Sequence, residues 1–254
     1  MPHLSQGLYE VKQTEHERYK EYCDALTYLA RSKLFNKIVF ADNSSSKFVN
    51  DLSVLAKSME NRDLTIEIIN ISIENEGEVR GKGYGEGLLI SQAIQESELL
   101  KSSESFVKLT GRYKLRNLYR LVPIIQNAIN EYESLDFVCQ GLHRYSQEIP
   151  IVSTAFFWCK TRMWKQFFMD AYQRVDDKQG WAFEAEVAER LKRLLANNYL
   201  IGEIPLPLIV DAKNTKNNQA MQPNKELYLS IVKSFGAHLF KKQKRIKLLK
   251  NGDF

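Results

Sequence analysis

With 254 residues, 44% of them hydrophobic, the chain carries enough apolar material for a full core, as one α/β domain or as one domain with a helical extension, and wholesale disorder is excluded. No apolar run reaches the roughly 18 residues that a membrane span needs, and the opening MPHLSQGLYEVKQTEHERYKEY holds no apolar run at all, so spanning and secretion are both disfavoured. The net charge of +5 belongs to the tail: KKQKRIKLLK at 241–250 has six basic and no acidic side chains, and with Asp253 this leaves residues 1–240 balanced. A broad nucleic-acid face, which needs Lys and Arg spread over the docking surface, is not expected.

Residues 15–32 place Tyr19, Tyr22, Cys23, Leu26, Leu29 and Ala30 at helical spacing, a buried stripe on an early helix. KIVFA at 37–41 predicts a first strand, ending in the polar turn Asp42-Asn43-Ser44-Ser45-Ser46. Short polar side chains at such a strand end either hydrogen-bond a nucleotide or cap the next helix, expected over 48–59. LTIEIINISI at 64–73 predicts a central strand. The glycine-rich GKGYGEG at 81–87 predicts a loop, but its spacing is neither a Walker motif nor a dinucleotide fingerprint.

A helix over 86–100 and a strand over 104–109 lead into the turn Thr110-Gly111-Arg112, at a strand's carboxyl end, where open α/β sheets place ligands. A half-buried helix then runs towards Ile129, followed by strands at 135–139 and 150–159 and an aromatic helix at 164–172. The acidic turn DDKQG at 176–180 precedes a helix over 181–197 with Phe183, Val187, Leu191 and Leu194 on one face and Glu184 off it. A last strand is expected at 205–211, a mobile polar loop at 214–224 and a closing helix at 225–249. Alternating strands and helices give an α/β class. Cys23, Cys139 and Cys159 show no CxxC pairing and no histidine at ligand spacing, which favours reduced thiols in a cytosolic protein over a zinc site or disulfide framework.

The order of a polar turn after the first strand, a glycine-rich helix entry, a strand ending in a polar triplet and a late acidic turn resembles the GT-A-type nucleotide-sugar glycosyltransferases. FADNSSS, GKGYGE and FVKLTGRY are similar to strings of bacterial glycosyltransferases of surface-polysaccharide (capsule or O-antigen) loci. The resemblance covers most of residues 18–195. It implies a single GT-A-like, Rossmann-like domain over 1–212, with a central mostly parallel sheet flanked by helices; the mobile loop and basic helix at 213–254 are read from the sequence pattern and not from the resemblance.

That family's pattern ends the strand in Asp-x-Asp, which brings a divalent cation to the diphosphate; here Thr110-Gly111-Arg112 stands in its place. The departing nucleoside diphosphate still accumulates negative charge, which a guanidinium can meet with a planar fork. The expectation is therefore a hexosyltransferase-like enzyme with no cofactor and no metal, or one whose metal ligands lie elsewhere, using Arg112, with Lys82 and Lys108 as further cations and Gly111 for close backbone approach. Asp42, Asn43, Ser44, Gly83 and Thr110 complete the expected nucleotide-sugar contacts.

The attacking hydroxyl needs a proton acceptor, and Glu184 and Asp177 are the candidates, Asp177 being equally readable as a turn or cap residue. Glu186 and Glu189 read as solvated, His143 as a looser candidate, and Trp158, Trp164 and Trp181 as core or sugar-stacking surfaces. Expected partners are a nucleoside-diphosphate sugar and a glycan or lipid-linked glycan acceptor, with no nucleic acid. The basic, partly apolar tail at 241–250 would suit a cytoplasmic enzyme lying peripherally on the inner membrane face, or be an ordinary solvated helix. The competing class is a noncatalytic nucleotide or nucleic-acid binding module using Lys82, Arg112, Arg116 and the tail. A sugar-nucleotide-forming nucleotidyltransferase would need a glycine-rich loop with Arg and Lys near the first strand, which the chain lacks.

Overall fold

Helix α1 (Glu15–Ser32) starts at a reciprocal cap: the Thr14 hydroxyl accepts from the Glu17 backbone N–H while the Glu17 carboxylate accepts from that of Thr14. The computed structural model describes residues 14–72, 79–144, 150–211 and 245–253. Strands β1 (Lys37–Asp42) and β2 (Thr65–Asn70) pair in parallel, Lys37 opposite Thr65 through to Asp42 opposite Asn70, joined through α2 (Ser46–Met59). Leu26 of α1, Ile38 and Phe40 of β1, and Phe48, Val49 and Leu52 of α2 bury one another.

Helices α3 (Lys82–Glu96) and α4 (Glu98–Lys101) lead to β3 (Ser105–Leu109), the short β4 (Lys114–Leu115) and α5 (Leu118–Glu131). Strands β5 (Leu135–Arg144) and β6 (Pro150–Lys160) follow, then α6 (Thr161–Phe167), two 3-10 turns (Ala171–Arg174 and Asp177–Gln179) and α7 (Phe183–Ala196). The short strands β7 (Leu200–Ile204), β8 (Val210–Asp211) and β9 (Lys247–Leu248) complete the described elements.

The main sheet has the order β3-β6-β5-β7-β9 and is mixed, not mostly parallel: only β5 and β7 run together, while β3–β6, β6–β5 and β7–β9 are antiparallel. The reason is local. Too few residues separate β5 from β6 for the crossover of a dozen or more that parallel pairing requires, so they return on each other. Register shifts beside Gly141, whose φ is +56°, give β5 an extra twist.

Side chains alternate across this sheet, and that alternation divides the core. Phe137, Cys139, Phe157 and Cys159 face α3, α6 and α7, where the Trp164 ring stacks on Phe157 with centroids 5.3 Å apart. Val138, Phe156 and Trp158 face Leu118, Leu121 and Ile125 of α5. Burial pushes the Cys139 thiol up to about 12 and the Cys159 thiol well above its ordinary value, which disfavours the thiolate at both.

Three expectations change at element boundaries. The glycine run is not a loop: α3 begins at Lys82, and Gly83, Gly85 and Gly87 lie within it. Neighbouring packing imposes the absence of a side chain at Gly83 and Gly87, though not at Gly85: a Cβ on Gly87 would lie 2.8 Å from the Phe183 ring and 2.9 Å from the Tyr172 Cβ. The strand expected at 205–211 lies earlier: β7 stops at Ile204, before a proline that cannot donate to a ladder, and within the expected range only Val210–Asp211 pairs, with β4.

The expected basic C-terminal helix falls mostly, and the polar loop entirely, outside the described residues. Where the chain is described it is extended instead: Gly202 and Glu203 of β7 pair with Leu248 and Lys247 of β9, and Ile246 and Leu249 are buried. The sheet therefore takes residues from both sides of the expected boundary at 212–213. Among the described residues no helix is long and apolar enough to cross a membrane.

Candidate functional site

The chain returns to one place at the carboxyl ends of β1 and β3. After β1, the buried Asp42 carboxylate accepts the Ser44 backbone N–H at 3.1 Å and closes a small polar turn. This turn does not cap α2 through a side chain, because Ser45, at the N-cap, makes no such bond. After β3, the Tyr113 N–H donates to the Thr110 carbonyl at 2.8 Å, so Thr110-Gly111-Arg112 is the body of a tight turn. The two turns meet: a Cβ on Gly111 would sit 3.3 Å from the Tyr22 ring and 3.6 Å from the Phe40 ring of β1.

Helix α1 covers this junction with three polar side chains that sequence reading missed or placed in the core. Arg18 donates from Nη2 to the Ser44 Oγ at 3.5 Å. Arg112 Nη1 lies 3.9 Å from the Glu21 Oε2, and its side chain is half-buried, about 29% exposed. Burial, then the Asp42 charge, raises the pKa of Tyr22, while Arg18 and Arg112 pull it down. Arg18 and Tyr22 are one helical turn apart; a charged residue one turn before a tyrosine of the stripe was the available signal.

Next to this lies a second cluster. Lys108 of β3 is nearly buried, paired with Glu86 of α3 and donating to the Thr110 Oγ1 at 3.0 Å. Its charge is already used inside the protein. Across β6, the Thr154 Oγ donates to the Glu184 Oε1 at 3.3 Å. Burial raises the Glu184 carboxyl above its ordinary value, and the nearby Glu86 and Asp177 charges add to this against opposing hydrogen bonds. Tyr113 joins the clusters: burial raises its pKa, Arg112 opposes, and Glu86 and Glu184 contribute. Glu86, Tyr113 and Thr154 had no signal in the sequence beyond being polar residues in otherwise apolar elements.

Other expected residues have structural employment. The Gly83 N–H donates to the Asp177 Oδ2 at 2.7 Å, so Asp177 caps the first turn of α3 from a distant segment. Gly81, with φ at +109°, and Gly83 leave room for that carboxylate: a Cβ on either would come within 2.9 Å of it. Gly83 thus serves Asp177 and not a ligand. Lys82 is exposed at the first position of α3, and Asn43 is exposed between the two residues of the β1 turn.

Glu186, expected to be solvated, is fully buried: it accepts from the Trp181 Nε1 at 3.0 Å and from the Arg190 Nε at 2.7 Å. Trp158 and Trp164 belong to the core and offer no sugar-stacking face, while Trp181 is half-buried and donates its Nε1 proton to Glu186. His143 lies on β5, paired with Ile151.

Chemically, the arrangement sets two guanidiniums, Arg18 and Arg112, beside Tyr22, and a carboxyl with raised affinity for a proton, Glu184, in the adjoining cluster. Among the described residues no group of three or more His, Cys, Asp or Glu side chains is placed to hold a metal ion. No protein-family model matches this chain, and no curated protein is significantly similar to it. Function has to be argued from the site.

Proposed function

We propose that the chain is a GT-A-like glycosyltransferase moving a sugar from a nucleoside diphosphate to a hydroxyl of a bacterial glycan. The observation that carries the reading is the meeting of the β1 polar turn and the Thr110-Gly111-Arg112 turn around Tyr22, with a proton-attracting Glu184 in the adjoining cluster. Glu184 takes the proton of the acceptor hydroxyl as its oxygen bonds to the anomeric carbon. The bond from that carbon to the diphosphate breaks, and the leaving oxygen carries away the electron pair. Arg112 meets the charge that develops there, where fixed cations stabilise the transition state more than the ground state.

The competing binding-module reading would use the same Arg112, and transfer activity is what separates the two. Arg116 lies 3.3 Å from the Asp211 carboxylate, and Ile246 and Leu249 of the basic tail are buried. Burial of those two residues takes from the tail two of the three apolar side chains that a membrane-surface role would insert, Leu248 being half-buried.

The test is a thermal-shift screen against nucleotides and nucleotide-sugars, each with manganese and with EDTA, followed by transfer assays on the donors that raise the melting temperature. Arg112→Ala should stay folded and lose on the order of 10²- to 10³-fold in transfer rate, the range for removing one preorganised charge-stabilising group. An absence of stabilisation by every donor, or full activity in Arg112→Ala, would overturn the reading.

A further inference from the structure

The sequence gives α1 only a buried stripe, yet this helix turns Arg18, Glu21 and Tyr22, spaced three and four apart, onto the site. The contacts are unequal in kind. Arg18 reaches Ser44 in the β1 turn at 3.5 Å, and Tyr22 sits edge-on to Phe40 with centroids 5.2 Å apart and against Gly111. Glu21, by contrast, holds Arg112 only at 3.9 Å, beyond hydrogen-bond range, while its other oxygen is buried without a hydrogen-bond partner. A carboxylate held so loosely against a guanidinium is a weak internal anion, and a phosphate forming direct charge-assisted bonds would outcompete it.

We infer that Arg18 is a second phosphate-binding residue, acting with Arg112 on the two phosphates of a nucleoside diphosphate, and that Glu21 is a built-in competitor that those phosphates must displace. The nature of the ligand rests on the transferase reading; the seat rests on the geometry alone. The helix preceding the sheet is on this account part of the donor site, and its charges set donor affinity in opposite directions. Arg18 attracts the diphosphate. Glu21 repels it and keeps the site from retaining product.

The experiment is isothermal titration of the full chain and its variants with UDP, GDP and inorganic pyrophosphate at fixed ionic strength. Arg18→Ala should weaken binding by on the order of 10-fold or more, the loss expected for one charge-assisted bond. Glu21→Gln should tighten it several-fold, a gain that misfolding cannot produce. Lys20→Ala, which removes the same charge from an exposed position on the same helix, should leave affinity unchanged. Equal losses in Arg18→Ala and Lys20→Ala would overturn the assignment of Arg18, and unchanged or weaker binding in Glu21→Gln would overturn that of Glu21. If pyrophosphate binds through Arg18 but neither nucleotide does, the seat stands and the transferase reading falls. If the wild-type chain binds none of the three, both fall.

Discussion

Replacing Glu186 by alanine tests whether the helix carrying Glu184 is held by a buried ion pair. Glu186 is fully buried and shares its carboxylate between the Arg190 Nε at 2.7 Å and the Trp181 Nε1 at 3.0 Å, with the Arg174 Nη1 at 3.6 Å. Burial works against the Arg190 charge, but its bonds to Asp170 and Glu186 outweigh this and raise its pKa. Breaking a buried pair from one side costs about 3–5 kcal/mol, because the other partner is left desolvated. Arg190 retains Asp170 at 2.7 Å and the Phe167 carbonyl at 2.6 Å, which places the cost at the low end, about 3 kcal/mol. For a chain of this size each kcal/mol moves the melting temperature by about 2–4 °C, so a fall of about 6–12 °C is expected. Calorimetry and urea unfolding with an unchanged m-value would measure it. A fall of less than about 2 °C would mean that the pair contributes no more than an exposed one.

Glu184→Gln should lower transfer by about 10²- to 10⁴-fold, the usual worth of a general base. Because burial raises the Glu184 carboxyl, the acid limb of the wild-type kcat/KM profile should lie above the ordinary carboxylate range; a limb at the ordinary value would remove Glu184 from the role. The same shift has a stability consequence. The folded state binds this proton more tightly than the unfolded chain, so stability falls as pH rises from the ordinary glutamate range through the raised folded value. Glu184→Gln should abolish that slope in pH-dependent melting and be the more stable form above it.

Gly87→Ala should destabilise by about 1–3 kcal/mol despite alanine's better helix propensity, because the new Cβ meets Phe183 at 2.8 Å and Tyr172 at 2.9 Å; a stabilised variant would contradict that packing. Ile246→Ala should cost about 2–5 kcal/mol in urea unfolding as a core truncation, whereas a solvated tail residue would cost nothing measurable.

Local pattern carried the elements that pack on one face. The stripe of α1, the apolar face of α7 around Phe183, Val187 and Leu191, and the ends of β1 and β3 stand where period and turn chemistry put them. What sequence could not supply was anything decided by a distant neighbour. GKGYGEG reads as a loop by propensity, but Asp177 and Phe183, nearly a hundred residues away, cap and pack its first helical turns. Glu186 reads as solvated because nothing nearby announces Arg190 and Trp181 as its partners across a buried face. Lys108 reads as a free cation until Glu86 is brought to it, and the part played by Arg18 and Tyr22 depends on a turn that closes ninety residues later.

The antiparallel contact of Gly202 and Glu203 with Leu248 and Lys247 bears on how the basic segment can be studied. Cutting the chain before residue 245 would strip a neighbour from β7 and leave its amide row open to other molecules, so the shortened protein would be prone to self-association whatever its charge. Glutamine exchange at the exposed Arg245, Lys247 and Lys250 keeps that seam closed. Any change in surface affinity measured that way reports on electrostatics, and not on a frayed border.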